Sequence, residues 1–253
     1  MDFIVLGGDA RMPALAELLR REGYSARHLS EPGTELAEAG SIVVNCPPKC
    51  GVTMGELLEM LAPEARVYLC GPAPWGDPRG RDLWKDESLQ LENAWLTAEG
   101  AVSAAMRAGA RCLRDARCLV IGWGRIGQAL TELLVALKAR VAVASRQENH
   151  RRRAVERGAE PLAPEELPEA LASAELIINT APAMVLDEAR LRFVDADAMV
   201  IDLASPPYGV DLRAAWRLGL RAWREPGLPG RYCPESAAAA LYRAMTRGGA
   251  FDD

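Results

Sequence analysis

The sequence predicts an α/β protein built from two doubly wound parallel-sheet domains, linked by long helices, with a cleft between them. Three observations carry this. Short apolar runs alternate with helical stretches along the whole chain, the pattern of parallel strands covered by helices. At 117–146 an apolar strand runs into Gly122-Trp123-Gly124-Arg125-Ile126-Gly127, then a helical run, then a second apolar strand. A shorter glycine turn, Gly7-Gly8, follows the first strand of the chain in the same way. Both domains are therefore expected to be Rossmann-like, and 253 residues suffice for two medium cores.

The elements follow in order. Residues 3–6 form an apolar strand, Gly7-Gly8-Asp9-Ala10-Arg11 a turn, and 13–21 a helix. Strands are expected at 25–29, 41–45 and 66–70, with a helix at 54–61. The Gly/Pro-rich stretch 71–86 reads as an irregular connection. Residues 97–113 read as one long helix with Thr97 as N-cap, joining the two halves. Beyond it come strand 118–121, helix 128–138 and strand 140–144. Helices at 165–171 and 211–218 alternate with strands at 174–179, 198–203 and 220–223. A closing helix at 234–245 is expected to lie beside the 97–113 helix. The expected division is a substrate-side domain at 1–95, a nucleotide-binding domain at 96–233, and a C-terminal segment, 234–253, packing back between them.

The strand–glycine–helix order assigns the chemistry of the second domain. Gly122 makes the tight turn, Gly124 lets backbone approach a pyrophosphate, and Gly127 permits close helix–strand packing. The helix N-terminus offers free N–H groups and a positive dipole end to that pyrophosphate. The chain is expected to bind a dinucleotide, with Arg125 and Ile126 in the same turn. At the end of the second strand, NAD sites usually place an acid on the ribose 2′-OH, whereas an Arg accommodates the 2′-phosphate of NADP. Here Ser145-Arg146 stand there, with no acid until Glu148. The bland reading is that Arg fills solvated positions throughout, since all but three of the 30 basic residues are Arg. NADP is expected over NAD.

Composition narrows the class. A net charge of −5 argues against a nucleic-acid binder. No apolar run approaches the roughly 20 residues that span a bilayer. The chain enters a strand at once, so no signal peptide is expected. Cys46, Cys50, Cys70, Cys112, Cys118 and Cys233 form no C-x-x-C, and only two His are present, so no metal site is expected. Reduced thiols and a cytoplasmic location are the default.

In open α/β sheets ligands bind outside the carboxyl ends of the strands. The loops on that edge supply the candidates: Asp9 and Arg11; Asn45 to Lys49; Thr180 and Pro182; Asp202 and Ser205; and Glu225 to Arg231. Ordinary turn chemistry is the alternative for each, above all for the prolines. Lys49 follows two prolines; it can be a base if desolvated, or simply hold a carboxylate. Asp9 can orient a base, Asp202 can cap a turn, and Ser205 can bond substrate. Glu99 is read as opening the long helix, where the dipole favours an acid. His28 and His150 stand in polar contexts and read as solvated.

These motifs also carry a resemblance. T-A-E-G-A at 97–101, V-I-G-W-G-R-I-G at 120–127, I-N-T-A-P-A-M-V-L at 178–186, I-D-L-A-S-P-P-Y-G-V-D at 201–211, E-P-G-L-P-G at 225–230 and G-G-D-A-R at 7–11 resemble the A subunit of dipicolinate synthase. The segment 71–95 and the C-terminal end depart from that pattern. The resemblance implies a cytosolic NADP-linked dehydrogenase of sporulation that oxidises dihydrodipicolinate, a lysine-pathway intermediate, to dipicolinate. It also implies a partner, a flavoprotein-like B subunit; a homo-oligomer is expected. A dicarboxylate substrate calls for cations and N–H donors, for which Arg11, Lys49 and Arg231 are the candidates; Asn45 and Glu99 are placed with Arg11 and Arg231 among the substrate-binding residues. Lys49, Asp9 and Ser205 are the catalytic ones. Thr180, Pro182 and Asp202 are placed with the cofactor. Two alternatives stand: a shikimate-type or hydroxy-acid dehydrogenase, to whose lysine loop residues 45–49 are loosely similar, and a non-catalytic NADP-binding regulatory subunit.

Overall fold

A computed structural model describes residues 2–45, 47–71, 78–109 and 112–251. Cys46, residues 72–77 of the expected irregular stretch and residues 110–111 of the expected long helix lie outside these. The chain divides into two compact units: Met1–Leu96 together with Pro229–Asp253, and Thr97–Leu228.

The first unit holds strands β1 (Asp2–Leu6), β2 (Ser25–Leu29), β3 (Ser41–Asn45), β4 (Arg66–Cys70) and β5 (Gly80–Asp82), with helices α1 (Arg11–Arg21) and α2 (Met54–Glu59). All strands are parallel, in the order β2-β1-β3-β4-β5. Side chains of β1 alternate between faces. Phe3 and Val5 enter one apolar layer with Leu15 and Leu19 of α1, and Ile4 and Leu6 enter the other with Leu57 of α2. That period of two is what a strand buried on both faces requires. Helix α2 starts cleanly because Thr53 and Glu56 form a reciprocal capping box.

Helix α3 (Glu87–Gly109) begins ten residues before the position expected from sequence. Its first turn is held by the Asp86 carboxylate, which accepts from the Leu89 N–H at 3.1 Å. Thr97 is therefore no cap; it is buried in mid-helix. Glu99 also sits in mid-helix, so the dipole argument for an acid there fails.

The second unit continues with β6 (Arg117–Ile121), α4 (Arg125–Ala136), β7 (Arg140–Ala144), α5 (Glu148–Glu156), β8 (Glu160–Leu162) and α6 (Leu167–Ser173). It closes with β9 (Leu176–Asn179), α7 (Glu188–Leu191), β10 (Met199–Asp202), α8 (Leu212–Arg217) and β11 (Arg221–Arg224). Its six strands are also all parallel, in the order β11-β10-β9-β6-β7-β8. The strand order reverses between β6 and β9, which is where such sheets open a crevice.

After α9 (Leu228–Tyr232) comes α10 (Pro234–Arg247). Sequence placed this helix beside the 97–113 stretch. It is instead part of the first unit, where Leu241 and Met245 share a core with α1 and with Leu89. Arg243 pairs with Glu92, and Arg247 Nε donates to Asp86 at 2.6 Å. The physical reason is the Ala-rich face 237–240, which lets the helix approach α1 closely.

Candidate functional site

Three glycines after β6 do different things. Gly122 has φ +102°, and a Cβ there would lie 2.6 Å from Thr180 Oγ1. A Cβ on Gly127 would strike the carbonyl oxygen of Gly122. Both glycines are thus required by the protein's own packing. Gly124 is not: a Cβ there meets nothing within 4 Å. Gly124 is the N-cap of α4 and offers no side chain to it, which leaves room for a ligand beside the helix entrance. Thr180 fixes the other wall of the turn, donating through N–H and Oγ1 to Ile121 O at 2.8 and 3.0 Å.

A cavity of about 500 Å³ opens here, lined by the glycine turn, the end of β7 and residues 180–185. Pro182 lies exposed on its rim, Arg125 is exposed at the first position of α4, and Ile126 is half-buried. The residues fit a dinucleotide: an uncapped helix N-terminus, backbone with room beside it, and a cavity of ligand size. Among the described residues no carboxylate lines the cavity. Ser145, Arg146 and His150 do. Arg146 is exposed, and its side chain is free of partners among the described residues. Arg151 is spent on the backbone, its Nη1 donating to Ser145 O at 2.8 Å and Arg146 O at 3.2 Å.

Asp202 is placed differently from the expected cofactor contact. It is fully buried. Its Oδ1 accepts from Asn179 Nδ2 at 2.8 Å and from Ala204 N at 3.2 Å. Its Oδ2 accepts from Gly209 N at 3.3 Å and from Arg224 Nη2 at 3.4 Å. The carboxylate ties the ends of β9, β10 and β11 to the 203–209 loop. Arg224 stacks on Tyr208 at 3.5 Å from the ring centroid. Sequence reasoning missed Arg224 and Tyr208; an Arg closing an apolar strand at the ligand-binding edge was the available signal. Ser205 is exposed on the same loop.

In the first unit the corresponding edge gathers Gly7, Gly8, Asp9, Arg11, Asn45, Lys49 and Gly230. Gly7 and Gly8 have φ +61° and +84°. A Cβ on Gly7 would lie 2.7 Å from Lys49 O, and one on Gly8 would strike Asn45 Nδ2. Asp9 and Arg11 form a two-bonded ion pair, Nε to Oδ1 at 2.7 Å and Nη2 to Oδ2 at 2.8 Å. Burial alone would raise the Asp9 pKa. The bonds and charge of Arg11, helped by the charge of Lys49, outweigh it and hold the carboxyl below its ordinary value. Asp9 is therefore ionised and engaged. Asn45 is 4% exposed, and its Nδ2 has no partner among the described residues. An unpaired buried amide is a donor awaiting an acceptor.

Gly230 packs directly against the Asp9 carboxylate, which carries Arg231 to the same edge. Arg231 is exposed, its guanidinium 5.7 Å from the Tyr232 ring. Lys49 is exposed, outside the buried setting that the base reading required. Glu99 belongs to the second unit and is not part of this cluster. Burial pushes the nearby Cys70 thiol up to about 12, which removes it as a nucleophile. Neither histidine is simply solvated. His28 is half-buried with Nε2 3.2 Å from Gly7 O, and His150 is half-buried with Nδ1 3.2 Å from Ser145 Oγ.

Residues 83–205 match the family model of the D-isomer specific 2-hydroxyacid dehydrogenase NAD binding domain. The chain is 30% identical over 165 residues to the A subunit of dipicolinate synthase from Bacillus subtilis (strain 168), a match covering 65% of this chain and 56% of that one. It thus spans little more than half the length of that relative. Two crystal structures share its fold. The dipicolinate synthase A subunit from Bacillus halodurans has TM-score 0.78 at 23% identity, over 97% of this chain and 96% of that one. Its Bacillus subtilis counterpart has TM-score 0.80 at 22% identity, over 98% and 95%. The resemblance read from the motifs is found again by comparison. Residues 83–205 thus resemble the nicotinamide-dinucleotide domain of NAD(P)-dependent dehydrogenases. Among the described residues no helix is long and apolar enough to cross a membrane.

Proposed function

We propose that this chain is an NADP-dependent oxidoreductase that converts dihydrodipicolinate to dipicolinate in the cytoplasm during sporulation, partnered by a B subunit. The observation that carries the reading is the open glycine turn, whose cavity presents Arg146 and, among the described residues, no carboxylate. When bound, the dinucleotide supplies the hydride acceptor for a reduced ring that becomes aromatic on losing a hydride and a proton. Gly122, Gly124 and Gly127, with the first N–H groups of α4, hold the pyrophosphate. Ser145 and Arg146 hold the 2′-phosphate. Asp202 positions the 203–209 loop rather than touching the cofactor, because its oxygens are already engaged.

The first unit supplies the dicarboxylate chemistry. Arg11 keeps Nη1 free of Asp9, and the Asn45 amide, Arg231 and Lys49 add further donors. Lys49, being exposed, is assigned to hold a substrate carboxylate rather than to take the ring proton, with Asp9 fixing Arg11; Ser205 is free to bond a substrate oxygen. A second reading, oxidation of a 2-hydroxy acid, is favoured by the matched family model. Against it, neither His28 nor His150 has a carboxylate partner.

The test supplies the cyclic lysine-pathway intermediate with NADP, with and without a B subunit, and follows NADPH absorbance and dipicolinate together. Turnover by the chain alone is expected. No product in any combination, with turnover of a 2-hydroxy acid instead, moves the assignment to the second reading. Arg146→Ala is expected to weaken NADP binding about tenfold and leave NAD binding unchanged, measured by calorimetry.

A further inference from the structure

Arg224 is the last residue of β11, on the edge of the second sheet where ligands bind, and most of its donors are unbonded. Its side chain is 29% exposed. The guanidinium lies over the Tyr208 ring, 3.5 Å from the centroid. Its one acceptor among the described residues is Asp202 Oδ2, 3.4 Å from Nη2. Nε is buried without a partner. Two acids bear on its charge. Asp202 also accepts from Asn179, Ala204 and Gly209, so Arg224 is one of four donors to it. Glu225 accepts from the Trp223 indole N–H at 2.6 Å.

Tyr208 has φ +68°, a left-handed backbone that a bulky residue adopts only where its surroundings hold it. A residue that merely pinned this loop would need an apolar stem against the ring. It would not need a buried N–H left unbonded, which is costly. A planar guanidinium stacked on a ring keeps its N–H edge open to an anion in the same plane, which suits a carboxylate.

We propose that Arg224, stacked on Tyr208, is the residue of the second unit that selects for a substrate carboxylate. This rests on the dehydrogenase reading above; the reduced pyridine dicarboxylate and the 2-hydroxy acid both carry such a group. In a sheet of this strand order each half takes one mononucleotide. With the 2′-phosphate assigned to the β7 side, the β9–β11 half falls to the nicotinamide, where the substrate reacts. Arg224 closes the outer strand of that half. A carboxylate in its plane supplies the acceptors that the fold itself withholds. Arg224 thus adds a cation to those that the first unit supplies.

The experiment is calorimetric titration of the full-length chain, saturated with NADPH, for wild type, Arg224→Gln and Arg224→Lys. The probes are dipicolinate, the uncharged pyridine-2,6-dicarboxamide, and oxamate as an unreactive 2-oxo acid. Arg224→Gln is expected to weaken dipicolinate binding about thirtyfold, with the dicarboxamide and NADPH within about twofold of wild type. Arg224→Lys is expected to fall between, because it keeps the charge without the planar fork. Dipicolinate binding that is unchanged, or that falls together with the dicarboxamide and NADPH, makes Arg224 a loop pin and overturns the proposal. Binding of oxamate alone, dependent on Arg224, moves the substrate to the 2-hydroxy acid reading and leaves the Arg224 assignment standing. No binding of either acid to the wild type overturns both. Thermal unfolding reports whether each variant folds, and Arg224→Lys carries the test if Arg224→Gln does not.

Discussion

The two sheets reverse their strand order at equivalent places, and the two turns there have opposite fates. In the second unit the turn after β6 is closed at Gly122 by Thr180 and at Gly127 by the carbonyl of Gly122, yet open at Gly124. In the first unit the turn after β1 has two left-handed glycines, but both are hemmed in by Lys49, Cys50, Asn45 and Met12. The place at the helix entrance that a phosphate would take is filled by Asp9, whose Oδ1 accepts from the Arg11 N–H at 3.2 Å. One turn has no capping side chain at its helix entrance; the other places a carboxylate of its own there. A parallel sheet with a glycine turn supplies an anion cradle only if the protein leaves it unfilled.

Substitutions can break this comparison. The largest effect is expected at Gly127→Ala, whose new methyl meets backbone that cannot move aside. A loss of about 2–3 kcal/mol in urea unfolding, with no measurable dinucleotide binding, is expected. Wild-type stability would mean that the turn is not closed by packing. Next is Asp9→Asn, which strips the charge from a part-buried ion pair and costs about 1–2 kcal/mol. Its pH signature follows from the lowered pKa of Asp9. The contribution is fully present above the unfolded value near pH 4 and fades as pH falls through the folded value. Acid unfolding of Asp9→Asn should lack that part of the slope. Smallest in stability is Gly124→Ala, within about 1 kcal/mol of wild type because φ is −72° and the space is open. Its dinucleotide affinity should nonetheless fall about tenfold or more. Unchanged affinity would show that Gly124 is not the point of ligand approach.

The second unit is the more legible of the two because its turn follows a fixed spacing of glycines between strand and helix. The strands 41–45, 66–70 and 140–144 are found at the expected bounds, since buried parallel strands are largely apolar runs; edge strand 25–29 is found there too, although only Ala26 of it is buried. Helix α3 is misplaced by sequence because its entrance signal, Asp86-Glu87, lies at the edge of a stretch that reads as loop. Helix α5 is unforeseen because Glu148, Arg151, Arg152, Arg153 and Glu156 interrupt any apolar pattern, and only Ala154 is buried. The site suffers from the same limit. Sequence can place Asp202 at the right edge, but only the fold shows that Asn179, Gly209 and Arg224 have already claimed its oxygens. His150 reads as solvated because its partner, Ser145, is brought to it by the first turn of a helix that sequence does not predict.

Phe251 stacks on Tyr24 at 4.6 Å between ring centroids and meets Phe3 at 5.7 Å. These three rings join positions from opposite ends of the described chain, whereas Thr97–Leu228 is one uninterrupted stretch. During synthesis the second unit can therefore fold as soon as its own residues have emerged. The first unit must hold an incomplete apolar layer on α1 until the ribosome has delivered α10 and Phe251. Its edge, with Asp9 lying against Gly230, is likewise completed only after the whole second unit has emerged.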